Sequence, residues 1–185
     1  MLYYQHIGER LWQRDGPESV GSPKRGTHRF HIRDIEPYLE HVPASERAAA
    51  TEAVGQDSPD GFQIWGLPEP AGNFIRKMGR RDTLLLLESD SFRYVGRVLH
   101  KFSLPCWDLS RHIWGEQKFP WIVLLSGQMV QYPWYSFVAD FSYNPNYDWR
   151  RLQGRTNRVA DAKLHASRFV SEHRFIDEIC SKYAE

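Results

Sequence analysis

Gly61-Phe62-Gln63-Ile64-Trp65-Gly66-Leu67-Pro68 decides how the rest of the chain is read. Ser58-Pro59-Asp60 before it is turn chemistry, and Pro68 and Pro70 after it remove backbone donors. The aromatic and aliphatic run between them predicts a strand over 62–67. Downstream, Asn73 to Met78 is expected to make about two turns of helix, stopped by Gly79. Asp82 to Glu88 carries four consecutive leucines, the composition of a strand buried on both faces. A tight connection at Ser89-Asp90-Ser91 leads into Phe92 to Phe102, where Phe92, Tyr94, Gly96, Val98 and His100 alternate with Arg93, Val95, Arg97, Leu99 and Lys101. The two runs read as a hairpin.

Pro105 and Asp108 open the next helix, whose Leu109, Ile113 and Trp114 share a face, and Gly115 ends it. Phe119-Pro120 enters a strand at 121–125, and another is expected over Met129 to Val138. A C-terminal helix over Ser167 to Tyr183 places Phe169, Ile176, Ile179, Cys180 and Tyr183 at helical spacing. Strand, helix, hairpin, helix and further strands describe an α+β fold, a small mixed sheet or partly closed barrel flanked by helices. A doubly wound parallel sheet needs more strand–helix alternation than this.

Upstream of the boundary, residues 1–60 read as an N-terminal extension and 61–185 as the main domain. The extension begins with a mixed aromatic and polar run (Leu2, Tyr3, Tyr4, Ile7, Leu11, Trp12) and becomes loop-like through Gly16-Pro17 and Gly21 to Gly26. A short strand at 27–32 and helices at 34–41 and 45–54 follow, the second stopped by Gly55.

A hydrophobic fraction of 41% and a charged fraction of 25% over 185 residues describe an ordinary globular chain. No run is apolar enough for a transmembrane helix, and the N-terminus lacks a signal-peptide layout, so a cytoplasmic location without membrane contact is expected. Cys106 and Cys180 are too isolated for a disulfide framework or zinc site. Net charge is +1, which argues against a strongly basic coat for nucleic acid while allowing a local patch. Phosphate-loop, dinucleotide, nucleophile-elbow and zinc-deaminase motifs are absent. His28 and His31 have the wrong spacing for a helical metal pair. Glu116-Gln117-Lys118 has the acidic-x-Lys form of metal-dependent nucleases, but falls between a helix stop and Phe119-Pro120 rather than on a strand. No catalytic activity, cofactor or metal is therefore expected.

Trp65, Trp107, Trp114 and Trp121, four of the seven tryptophans, lie between Gly61 and Gly127. Stacking a base on an aromatic ring is worth about 1–3 kcal/mol, so such a set suits a flat guest; core packing is the competing role, more so for Trp107 and Trp121. Ser89, Asp90 and Ser91 at the hairpin tip offer hydrogen bonds to a base edge. Arg76, Lys77, Arg80 and Arg81, and later Arg150, Arg151, Arg155 and Arg158, are the basic clusters available to phosphates, or else solvated surface.

Several of these residues carry a family resemblance. They are Phe62 to Leu67, Asn73 on a short helix, Gly79-x-x-Asp82 before the leucine strand, Phe92-x-Tyr94-Val95-Gly96-Arg97-Val98, Leu109-x-x-x-Ile113-Trp114-Gly115, and Phe119-Pro120-x-Ile122-x-Leu124-Leu125. Over residues 61–140 the chain resembles the EVE/YTH-type branch of the PUA-like superfamily. It is particularly similar to the specificity modules of modification-dependent restriction systems of the McrBC kind. The resemblance implies a small β-barrel with flanking helices that flips a modified base of DNA into an aromatic cage and targets a nuclease or NTPase on the same or another chain. It places Trp65, Gly66, Leu67, Asn73, Glu88, Ser89, Asp90, Phe92 and Trp114 around that cage. The alternative it leaves open is an RNA-binding PUA-like protein.

Overall fold

The computed structural model describes residues 1–22, 24–68, 77–152 and 155–184. Its centre is a curled, half-barrel sheet with strand order β4-β7-β6-β5-β1-β8, formed by β1 (Leu2–Ile7), β4 (Gln63–Leu67), β5 (Thr83–Glu88), β6 (Ser91–Lys101), β7 (Trp121–Pro133) and β8 (Thr156–Arg158). Neighbours are antiparallel except β1 and β5, which run parallel from Leu2↔Thr83 to Ile7↔Glu88. A two-stranded ribbon, β2 (Gly21–Ser22) and β3 (Gly26–Thr27), stands apart from it.

The expected boundary at residue 60 does not separate an extension from this sheet. Leu2–Ile7 is buried along its whole length between β5 and β8, and the parallel pairing requires the long crossover that residues 8–82 supply. Helix α1 (Glu9–Ser19) replaces the loop expected around Gly16-Pro17. Pro17 lies in the last turn of α1, two positions before the helix ends, where it removes the bond to the carbonyl of the exposed Gln13 and crowds that carbonyl with its ring.

Three apolar clusters occupy the faces of the curled sheet. The concave interior gathers Tyr3, Trp12, Trp65, Leu84, Leu86, Tyr94, Trp121 and Met129. A second cluster lies under α2 (Ile32–Ile35), α3 (Ala44–Asp57) and α4 (Trp107–Trp114), joining Ile35, Val54, Leu99, Phe102, Leu109 and Ile122. A third, built on Tyr4, Leu85, Phe92 and Tyr132, is capped by α5 (Trp134–Asp140), α6 (Asp161–Ala166) and α7 (Glu172–Lys182). Leu84 and Leu86 face the interior and Leu85 and Leu87 the outer layer, so the leucine run is buried on both faces as expected.

Several expected elements shift, each for a local reason. The 34–41 helix shortens to α2 and a 3-10 turn at Glu36–Tyr38, with Pro37 near its start. Gly55 does not stop α3, which continues to Asp57. The 27–32 strand reduces to β3 and a bridge between Phe30 and Phe62. No second strand begins at Met129, because β7 runs unbroken to Pro133, which then caps α5. The C-terminal helix expected from Ser167 begins only at Glu172, because Val170 adopts a positive φ of 63° and the Ser171 side chain caps α7 by accepting from the Arg174 N–H. Gly115, at φ 70°, ends α4 as expected. The helix expected over 73–78 lies largely outside the described residues. No described helix is long and apolar enough to cross a membrane.

Gly55 gives a simple check on α3. Its added Cβ would meet nothing, and the residue is exposed, so Gly55→Ala should stabilise the protein by about 0.5–1 kcal/mol through helix propensity, measured as a higher urea midpoint.

Candidate functional site

The curl of the sheet brings β4, one of its edges, over β1, and the two are joined by a side-chain bond. Trp65 Nε1 donates to Gln5 Oε1 at 2.9 Å. An indole N–H can only donate, which fixes the orientation of the Gln5 amide and leaves its Nε2 as an uncommitted donor. Helix α1 seals the same seam: Trp12 enters the interior cluster and the Ser19 hydroxyl donates to the Ile64 carbonyl.

A cavity of about 320 Å³ opens at this seam, lined by residues 5–8, Leu11, Asp15, Trp65, Gly66, Pro68, Trp114 and Phe119. Leu11 and Asp15 are one helical turn apart and so present one face of α1 to it. On the far wall Trp114 and Phe119 meet edge to face, with ring centroids 5.3 Å apart and planes at 81°. Gly66 is small because of these rings: a Cβ there would lie 2.5 Å from Trp114 and 2.6 Å from Phe119. The aromatic wall therefore packs directly on the backbone of β4.

Among the described residues Asp15 is the one carboxylate in this lining, and it is only 4% exposed. Arg14 holds both of its oxygens, through Nε and Nη2 at 2.6 Å each. Arg14 also reaches Glu116 at 3.4 Å, and Glu116 pairs with Lys118 at 2.5 Å. The acidic-x-Lys triplet thus forms a surface ion pair beside the cavity mouth.

His6 is 2% exposed, stacks on Trp149 with centroids 5.3 Å apart, and neither ring nitrogen finds a hydrogen-bond partner. Burial lowers its pKa, with the Glu88 charge opposing. His100 is shifted the same way, by burial and then by Arg80 against Glu46. A histidine kept neutral in the fold binds its proton more readily when unfolded, so stability is present above the unfolded pKa of about 6.5 and falls as pH drops below it. Urea unfolding between pH 8 and 5 should therefore show a smaller acid loss for His6→Phe than for wild type, and an unchanged profile would sink this account.

No protein-family model matches the chain, and no curated protein is significantly similar to it.

Of the residues expected around the site, Trp65, Gly66 and Trp114 come together at the cavity. Leu67 is fully buried in the barrel interior and does not line it. The hairpin tip lies at the same end of β1, with Glu88 the register partner of Ile7, but residues 88–92 do not line the cavity. A register shift between Phe92 and Tyr94 breaks the alternation expected along β6, so Tyr94 faces the interior while Phe92 is buried under the C-terminal helices. Glu88 is held by Arg93 at 2.9 Å and by Ser89 at 2.8 Å, and the Asp90 carbonyl accepts from the Trp134 N–H. Asn73 and Arg76 lie outside the described residues.

The basic clusters separate. Lys77, Arg80 and Arg81 precede β5, at the end of the β1–β5 pair opposite Ile7 and Gly8. Arg80 is engaged with Asp57 and Gln56, both at 2.8 Å. Arg158 pairs with Asp161, whereas Arg150 lies over the Trp149 ring that covers His6, and the Arg155 carbonyl accepts from the His6 N–H. Arg151 is exposed on the same 3-10 turn as Arg150. Of the two expected clusters, Arg150, Arg151 and Arg155 therefore lie nearer the cavity's end of β1.

Gln5, Leu11 and Asp15 were not legible as site residues, since nothing in the linear order pairs residues 5–15 with Trp65. A polar Gln5 within an otherwise aromatic and aliphatic run was the available signal.

Proposed function

We propose that the chain is a nucleic-acid-binding module that accepts a modified base of DNA, flipped out of the duplex, into the cavity between β1, α1 and β4. The supporting observation is a ring-walled cavity whose described lining holds a free Gln5 amide donor, the unpartnered Trp114 N–H and a buried carboxylate. Its volume of about 320 Å³ is at the small end of ligand sites, the scale of one base. Trp65, Trp114 and Phe119 supply the apolar faces, and Gln5 and Asp15 the polar atoms an edge requires. A modification on a base edge is fully exposed for reading only outside the stack. Arg150, Arg151 and Arg155 would meet backbone phosphates beside the opening. The module itself performs no chemistry in this reading and directs a nuclease or NTPase, on its own or another chain, to modified DNA.

The test is binding to short duplexes carrying unmodified, N6-methyladenine, 5-methylcytosine or 5-hydroxymethylcytosine bases, and to matched RNA. Wild type should prefer one modified duplex, and Trp65→Ala should weaken it about 5- to 150-fold, the equivalent of one lost stack. Trp65→Phe keeps a ring but loses the bond to Gln5, and should retain most of the affinity. Equal affinity for every duplex would overturn the proposal, and preference for RNA would move the reading to an RNA-binding protein.

A further inference from the structure

Resting on that reading, we infer that Asp15 reads the edge of the guest and admits only a base that offers it an N–H. A carboxylate that is 4% exposed is an expensive group to place beside Trp65, Leu11 and Phe119. Among the described residues its hydrogen bonds all come from one side, from its neighbour Arg14, which is itself about half exposed and is tied outward to Glu116. Each carboxylate oxygen has two acceptor directions, so the face turned away from Arg14 keeps unused lone pairs. No donor of the described lining is bonded to them: Gln5 is bound to Trp65 through its oxygen and presents its own N–H to the same space, and Trp114 Nε1 has no partner among the described residues, so a guest's donor can take these lone pairs. The amide then donates to a ring nitrogen while the carboxylate accepts from the neighbouring amino group. Adenine has that pair at N1 and N6, and cytosine at N3 and N4. A methyl on N6 leaves one N–H, and a substituent on C5 of cytosine leaves both.

Guests that lack the N–H test this requirement. In 6-methoxypurine an oxygen replaces the N–H of N6-methyladenine, and 5-methylpyrimidin-2-one lacks the 4-amino group of 5-methylcytosine. For whichever modified duplex wild type prefers, the matching analogue should bind at least about tenfold more weakly, the scale of a lost charge-assisted hydrogen bond. Asp15→Asn, in which Arg14 retains the oxygen and turns the NH₂ toward the guest, should lose at least about tenfold on the natural guest and no longer distinguish it from the analogue. Equal binding of guest and analogue by wild type would overturn the role of Asp15 even if the Asn variant failed to fold. So would undiminished affinity in a folded Asp15→Asn. The base-in-cavity reading is scored separately by Trp65→Ala: if no duplex depends on Trp65, that reading fails and this inference falls with it.

Discussion

Gly127→Val should leave most of the protein unfolded, and Gly127→Ala should cost at least about 3 kcal/mol, the upper end of overpacking penalties. A Cβ at residue 127 would stand 2.1 Å from the Val95 carbonyl oxygen, 2.5 Å from the Gly96 Cα and 2.7 Å from the Tyr94 hydroxyl. The first two are backbone atoms of the adjacent strand and cannot swing aside as a side chain would. Relief requires prising β6 from β7 at the middle of the sheet, where Gly96 and Gly127 are register partners. The glycine pair is there because Tyr94 lies across it: a Cβ at Gly96 would also meet the Tyr94 hydroxyl, at 2.5 Å. Against a total stability of about 5–15 kcal/mol, valine is expected to exceed what the fold tolerates. Urea denaturation would check this; a Gly127→Ala midpoint within error of wild type would show that the strands part easily here.

Gln63→Leu is the second large effect, expected at about 3–6 kcal/mol. Gln63 is 2% exposed, and its oxygen accepts from the Tyr94 hydroxyl and the Gly127 N–H, both at 2.9 Å, while its nitrogen donates to the His28 carbonyl at 3.0 Å. Leucine fills similar space and answers none of these groups; an unpartnered buried polar group costs about 1–3 kcal/mol, the full amount for the Tyr94 hydroxyl and less for the half-buried Gly127 N–H and His28 carbonyl. Tyr94 is fully buried, and burial pushes its phenol pKa well above the ordinary value, so it remains a donor at any working pH. Removing that hydroxyl as well should recover part of the loss. The double variant Gln63→Leu/Tyr94→Phe is expected to be at least about 1 kcal/mol more stable than the sum of the single effects predicts. Strict additivity would mean that the two groups do not depend on each other.

Much of the sheet could be read from the chain, because β4, β5, β6 and the start of β7 are rich in strand formers and bounded by proline, glycine or serine turns. The α4 helix was equally legible from Gly115. What failed were places where a local signal was overruled by partners distant in sequence. The β1 strand contains Gln5 and His6, which look unlike core residues until Trp65 and Trp149 are brought against them. Gly16 and Pro17 read as a loop but lie inside α1, where Gly16 is packed against Trp12, a Cβ there meeting that ring at 3.0 Å. The bulge before Tyr94 is invisible to an alternation count, and it alone sends Phe92 away from the interior. The candidate site divides along the same line. Trp65, Gly66 and Trp114 belong to the stretch whose pattern was clear, whereas Gln5 and Asp15 enter only through the curl of the sheet.

The seam at which Gln5 meets Trp65 also sets an order of events. Within the β5–β6–β7 meander the first pair is a tight hairpin and the second is linked through α4 over residues 102–120, so both pairings close far shorter stretches than β1 with β5 or β4 with β7 and can form earlier. The cavity needs β1, α1 and β4 folded over that meander, a step that closes much longer stretches of chain. Amides of β6 and β7 are therefore expected to exchange with solvent only on global unfolding, and those of α1 and β4 through a smaller opening that leaves the meander intact. A guest bound at the seam would tie its two sides together and suppress that smaller opening, so occupancy should register as slowed exchange in α1 and β4 while the meander is unaffected.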